Sequence, residues 1–246
     1  MFKRNYYYVV AGLADLIPDQ AKLSQQLPDF ILELKELLNP DDLHLVDRIF
    51  LDIDNKNLLH LLLKTGKPFI PGGKYSILEM EQGIREPAFR ETYLNLFINA
   101  FIAGTPIEPG ISWEDQLAGL YYGFMTCEAN NNFLGSYYQF DQNIRNIVTA
   151  LNTRKYKLKE KNRFIGENLV TEALKQSTLK DFGLAGEFPL VESLLAIFEE
   201  SDLIRRERAI DQIRWAYLDE LNTFNYFTVE VILAQIIKLR MIVRWI

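Results

Sequence analysis

A glycine pair followed by lysine at 72–74, a DFG triplet at 181–183, two histidines and many carboxylates are the groups in this 246-residue chain with types suited to chemistry. A phosphate-binding loop needs a glycine five places before its second glycine, a Ser or Thr after the lysine, and a preceding strand. Here Pro68 and Tyr75 occupy those two places, so GGK reads as a turn. The DFG triplet has no glycine-rich loop or catalytic-loop partner, and kinase chemistry is set aside. His44 and His60 have neither a nearby cysteine nor a Glu-x-x-His pattern, whereas a catalytic metal needs three converging ligands. No serine or cysteine sits in a recognisable nucleophile elbow. The expectation is a protein without catalytic, metal or cofactor-binding residues. A helical enzyme with a polar pocket between bundles, using Asp52, Asp141 and two asparagines, stands as an alternative.

Charge gives a second candidate. RKYKLKEKNR at 154–163 carries a local net charge of +5 in a chain whose total is −6, leaving −11 for the remainder. Such polarity can orient a protein on a charged partner, which makes Lys155, Lys157, Lys159, Lys161 and Arg163 candidate interface residues. The plainer reading of the same run is a solvated link between helices. A sequence pI near 5.1 argues against nucleic acid as the main partner, because phosphate neutralisation needs clustered cations. A single cysteine, Cys127, excludes an internal disulfide framework and fits a reducing compartment. The N-terminus does not read as a signal peptide. The apolar segment 229–246 carries Glu230, Lys238, Arg240 and Arg244, too many charges for a membrane span. A soluble, cytoplasmic protein is expected.

The elements that must position these residues read as helices throughout. Pro28, and Asn39 with Pro40, punctuate helix starts. Ser76 with Glu79 and Ser112 with Asp115 have capping-box spacing. Phe89, Tyr93, Leu96, Phe97, Ala100 and Phe101 recur at three and four, as do Ile204, Ile210, Ile213, Tyr217 and Leu221. Regions 112–129, 136–152, 164–178 and 188–200 are also expected to be helical. NYYYVVAGL at 5–13 has the composition of a strand, yet no second segment alternates with period two to pair with it. It is therefore predicted to be a helix capped by Asn5, with Tyr6, Val10, Leu13 and Ile17 on one stripe, Pro18 at its end and the tyrosines packed. The fold class is all-α. One helical domain spans 1–246, with candidate sub-bundles 1–103 and 112–246 divided at the loop GTPIEPGI.

An internal echo supports duplicated bundles. Aligning FLDIDNKNLLHLLLK at 50–64 with QFDQNIRNIVTALNT at 139–153 brings Asp52 onto Asp141 and Asn57 onto Asn146, an offset of 89. In the last segment, Leu239, Ile232, Val243, Ile236 and Ile246 fall on one face, with apolar residues also among the charges opposite, so the helix should be buried nearly all round. Its charges then need partners, and Arg240 and Arg244 are assigned to acids such as Asp211 or Glu220. Arg214–Trp215 and Arg244–Trp245 repeat a dipeptide that can stack cation on ring.

YYYVVAGL, DIDNKNLLHLLLK and, above all, FTVEVILAQIIKLRMIVRW resemble the corresponding stretches of the C-type subunits of V-type ATPases, called d-type in eukaryotes. DQIRWAYLDELNTFNYFTVEVILAQIIKLRMIVRW is also similar to a bacterial family of proteins encoded within V-type ATP synthase operons. The resemblance implies pseudo-repeated helical bundles and a non-catalytic role, coupling the central shaft to the membrane rotor ring on the cytoplasmic face through protein contacts. It implies neither a cofactor nor a small-molecule substrate. The C-type subunits are typically longer, with three repeats, whereas this chain accommodates two and a fragment. An assembly factor of the same ATPase is the alternative role.

Overall fold

The structure, a computed structural model, describes residues 4–128, 131–158 and 164–246. Every regular element among them is helical. The first half contains α1 (Tyr7–Ala11), α2 (Leu27–Leu37), α3 (Pro40–Arg48), α4 (Leu51–Leu62), α5 (Ile77–Arg85) and α6 (Thr92–Ala103). After these come α7 (Trp113–Gly123), a π-helical turn (Phe124–Glu128), α8 (Asn132–Tyr156), α9 (Leu169–Gln176), α10 (Leu190–Phe198), α11 (Leu203–Leu221) and α12 (Val229–Val243). Among the described residues, no helix is long and apolar enough to cross a membrane.

Local chemistry sets many of the boundaries. Asn39 caps α3 by accepting from the amides of Asp41 and Asp42, and Pro40 supplies a preformed first-turn φ. Before α5, Ser76 Oγ accepts from the Glu79 amide at 3.3 Å while Glu79 returns to the Ser76 amide at 2.8 Å, a reciprocal capping box. The Ser76 hydroxyl, which donates to the Glu79 carboxylate at 2.7 Å, and then the Ser76 amide hold that carboxyl below its usual range. Ser112 likewise accepts from the Asp115 amide at 3.1 Å. At the other end of α6, Gly104 takes the left-handed conformation that closes a helix without a Cβ penalty.

The chain forms two compact units, 1–81 with 211–246, and 82–210. This differs from the divide expected at 104–111. That loop is stapled to α7 inside the second unit, because Gln116 Oε1 accepts from the amides of Ile107 at 2.7 Å and Glu108 at 3.2 Å while its Nε2 donates to Ile111 at 2.9 Å.

In the first unit α12 is the central helix and packs against α1, α2 and α3. Ile232, Leu233, Ile236 and Leu239 are buried there with Phe30, Leu34, Val46, Ile49 and Leu58, each such side chain contributing up to about 2 kcal/mol by leaving water. Burial nearly all round α12 agrees with its sequence, but Val243 and Ile246, near or beyond its end, are exposed. The opening helix is shorter than expected. It runs for five residues from Tyr6 as N-cap to Gly12, not Pro18, and Ile17 is exposed. Asn5 does not cap it; its Nδ2 donates to the Tyr7 hydroxyl at 3.2 Å, while the Tyr6 amide donates to the Phe227 carbonyl at 2.6 Å.

In the second unit α8 is the spine, with α7, the π turn, α9 and α10 packed around it. Gly135 permits a close approach of α8 to the π turn, since a Cβ there would lie 3.1 Å from the Thr126 carbonyl oxygen. Leu94, Phe97 and Ile98 of α6 are buried, whereas Leu96 is exposed. Ile204 is exposed as well, although Ile210 of the same expected stripe is buried.

Candidate functional site

The two aligned asparagines do the same thing. On α4, Asn57 donates to the Ile70 carbonyl at 2.9 Å and accepts from the Ile70 amide at 2.8 Å. On α8, Asn146 donates to the Ile165 carbonyl at 2.9 Å and accepts from the Ile165 amide at 2.9 Å. Both asparagines are buried, and a primary amide fits this task because it carries one acceptor and one donor side by side. Each clamped isoleucine follows a phenylalanine, Phe69 or Phe164, and leads into a capped helix, α5 or α9.

The equivalence extends to a position that periodicity and motif do not single out. Asp54 aligns with Asn143 at the same offset of 89. Asp54, fully buried, accepts from the amides of Lys74 at 2.9 Å and Tyr75 at 3.1 Å, just ahead of α5. Asn143 accepts from Nδ2 of Asn168, the N-cap of α9, at 2.9 Å. The GGK turn is thereby explained: the amides of its Lys74 and of the following Tyr75 face an acid, but the acid is the chain's own Asp54. A Cβ on Gly73 would stand 2.4 Å from Asp54 Oδ1, and one on Gly166 would stand 2.5 Å from Gln142 Nε2. Small residues at these places let each loop close over a buried polar side chain.

The aligned acids Asp52 and Asp141, by contrast, have different partners. Asp52 Oδ1 accepts from Arg240 at 2.6 Å, and Lys56 lies 3.7 Å from its other oxygen. Arg240 also donates to the Ile49 carbonyl and lies over the Phe50 ring at 5.0 Å. Asp141 Oδ2 accepts from the Tyr122 hydroxyl at 2.5 Å, beside edge-on contacts among Tyr121, Tyr122, Tyr137 and Tyr138. The pairing of Arg240 is thus with Asp52, not with the expected Asp211 or Glu220; 188 residues separate the two, and no local pattern marks the contact.

Arg244 does reach Asp211, as expected. The same carboxylate accepts from Arg214 at 3.1 Å and from the Trp245 indole N–H at 2.8 Å, so donors occupy both of its oxygens. Arg244 stacks over Trp245 at 5.1 Å, while over Trp215 it is Lys238 that sits, at 4.8 Å, ion-paired with Asp219. These acids are engaged with cations, a hydroxyl and an indole N–H.

Of the basic run, Lys159, Lys161 and Arg163 lie outside the described residues. Lys155 Nζ donates to the Phe198 carbonyl at 3.3 Å, and Lys157 takes the left-handed conformation at the end of α8, where a cation suits the helix dipole. Arg154 is internal in its bonding: it donates to the carbonyls of Ser177 at 2.8 Å and Leu179 at 2.6 Å and stacks on Phe182 at 3.6 Å. Desolvation pulls its pKa below the ordinary value. Phe182, the centre of the DFG triplet, is buried beneath that guanidinium and serves packing.

Among the described residues, no group of three or more His, Cys, Asp or Glu is placed to hold a metal. The first unit exposes several aromatic side chains. Tyr7, Tyr8, Phe224, Tyr226 and Phe227 all face solvent, with the Tyr7 and Phe227 rings 4.7 Å apart. Only Tyr6 of the three tyrosines is packed, which corrects the expectation for that stretch. Its hydroxyl donates to Asp42 and accepts from Asn39, and burial followed by the bond to Asp42 pushes its pKa up to about 12. Exposed aromatic side chains are enriched where partners make contact.

No curated protein and no solved structure matches the chain. The model of one family, described as a protein of unknown function (DUF2764), matches residues 3–246, and the chain therefore belongs to the DUF2764 family.

Proposed function

We propose that this chain is a non-catalytic component of a V-type ATPase, coupling the central shaft to the membrane rotor ring from the cytoplasmic face and so linking ion transport to ATP synthesis or hydrolysis. The observation that carries the reading is the repeated asparagine clamp. Pseudo-repeated helical bundles are what the resemblance to the C-type subunits implies, and Asn57 and Asn146 hold equivalent loops by equivalent bonds. Torque passes only through elements that do not yield, and bidentate clamps on loop backbone stiffen the joint between successive helices. The exposed aromatic residues Tyr7, Tyr8, Phe224, Tyr226 and Phe227 offer side chains for contact with a protein partner.

Affinity-tagged protein drawn from native membranes of its own cell tests the proposal. Shaft and ring subunits are expected in the eluate; recovery of neither removes the reading. Within a recovered complex, charge reversal at Lys157, Lys159, Lys161 or Arg163 should weaken docking more at low salt than at high salt, because exposed charges are screened within about 10 Å at 0.1 M.

A further inference from the structure

Arg206 is the charged group whose placement the fold does not explain. It is the fourth residue of α11 and only 7% exposed. Its guanidinium lies 4.5 Å from the centre of the Phe198 ring, and its buried Nε has no hydrogen-bond partner among the described residues. No carboxylate among those residues pairs with it. A guanidinium has five donors, and one of them, the Nε–H, is buried here without an acceptor, a costly arrangement for a fold to keep.

The surroundings favour an anion. Lys155 Nζ binds the carbonyl of the same Phe198 whose ring lies under Arg206, so two cations bracket one residue. The first turn of α11 holds no acidic residue, and Asp202, just before it, caps its amides. Two nearby acids are committed locally: Asp202 accepts from the amides of Ile204 at 2.8 Å and Arg205 at 3.3 Å, and Glu200 accepts from the Asp202 amide at 2.9 Å, while Glu199 and Glu207 are exposed. The residues that neighbour the cations in sequence are exposed and apolar. Tyr156 and Leu158 at the end of α8, and Leu203 and Ile204 at the start of α11, are each more than half exposed. Cations interleaved with exposed apolar side chains complement a segment that presents carboxylates beside an apolar stripe.

We propose that Arg206, with Lys155 beside it and Tyr156, Leu158, Leu203 and Ile204 around it, anchors a docking site for an acidic, apolar-faced segment of a partner protein. A partner carboxylate satisfies the guanidinium, and the apolar side chains bury the stripe that carries it. The site stands whether or not the partner belongs to a V-type ATPase.

The test uses the full chain and a fluorescein-labelled amphipathic helical peptide with glutamates flanking a leucine stripe, followed by anisotropy. A matched peptide with glutamine for every glutamate is the control. The glutamate peptide is expected to bind saturably and the glutamine peptide not to. Arg206→Met should weaken binding by about thirtyfold or more, the usual consequence of truncating one member of a buried charge pair. The same substitution should leave the melting temperature of the free chain unchanged or higher, because it removes a buried charge that lacks a partner. Leu203→Ser, at an exposed position, should weaken binding without altering stability. The proposal is overturned if Arg206→Met lowers the melting temperature, if it leaves peptide affinity unchanged, if both peptides bind alike, if neither binds, or if millimolar inorganic phosphate displaces the peptide, which would identify a site for free oxyanions.

Discussion

Asn146→Ala should cost the chain more than Asn57→Ala, although the two asparagines occupy equivalent places and make the same pair of bonds. Each substitution deletes two side chain to backbone hydrogen bonds, worth about 1 kcal/mol apiece in net terms. The difference lies in what is left behind. At the second clamp the Ile165 carbonyl keeps a bond from Gln142 Nε2 at 3.1 Å, but its amide loses its acceptor at a residue that is 4% exposed. An orphaned buried donor adds about 1–2 kcal/mol, bringing the total to about 3–4 kcal/mol. At the first clamp Ile70 is half-buried, so water can replace both lost partners and the cost stays near 2 kcal/mol. With a urea m-value of about 2 kcal/mol/M, the midpoints should fall by about 1.5–2 M and about 1 M. Hydrogen exchange at the Ile165 and Ile70 amides localises each loss. Asn146→Asp adds a signed check. It replaces the donor with a second acceptor, and burial raises the new carboxyl's folded pKa above its unfolded value of about 3.9. Its penalty is therefore absent below that pH and grows as pH rises towards the folded pKa. Equal costs at the two clamps, or a greater cost at Asn57, would refute the reasoning.

Gly73→Ala should destabilise the first unit by about 2–4 kcal/mol, since the new methyl overlaps a buried carboxylate already bonded to two amides; urea melts measure it, and a neutral result would mean that the Asp54 turn is not rigid. Asp211→Ala should cost about 3 kcal/mol and red-shift tryptophan emission, because it strips Arg214, Arg244 and the Trp245 indole of their common acceptor; unchanged emission would argue against that cluster. Tyr6 should make the chain alkali-sensitive. Its folded pKa lies near 12 against an ordinary value of 10, so its neutral hydroxyl contributes fully below pH 10 and the contribution is lost as pH rises from 10 through 12. Tyr6→Phe should flatten that decline in alkaline unfolding curves, and an unaltered decline would remove Tyr6 as its source.

The helices and caps were legible in the sequence because their causes are local. Asn39, Ser76 and Ser112 bond amides two or three residues away, and the apolar period of α12 is visible within one segment. The echo at 50–64 and 139–153 located both clamps, since an asparagine before paired apolar residues places an amide at the same point on each helix. It named the wrong acid, however. Asp52 and Asp141 align by type but have unlike partners, while Asp54 and Asn143 differ in type and both serve the entrance to the next helix. Distant contacts left no trace. The Tyr6 amide bonds Phe227, and the short α1 ends at Gly12, features that periodicity in NYYYVVAGL could not reveal. Leu96 and Ile204 lie within stripes of correct period yet face solvent, because the stripe on each helix is wider than the surface that covers it. Arg206, in the run RRER, reads as one more solvated charge until its burial against Phe198 is seen.

The most direct test of the proposed coupling role is the copy number of this chain in a V-type ATPase of its own cell, read from the native mass of the complex purified through a different component. One copy per central shaft is predicted, retained after ATP turnover. A complex of full activity and otherwise complete composition that contains no copy would contradict the account and leave an assembly factor in its place.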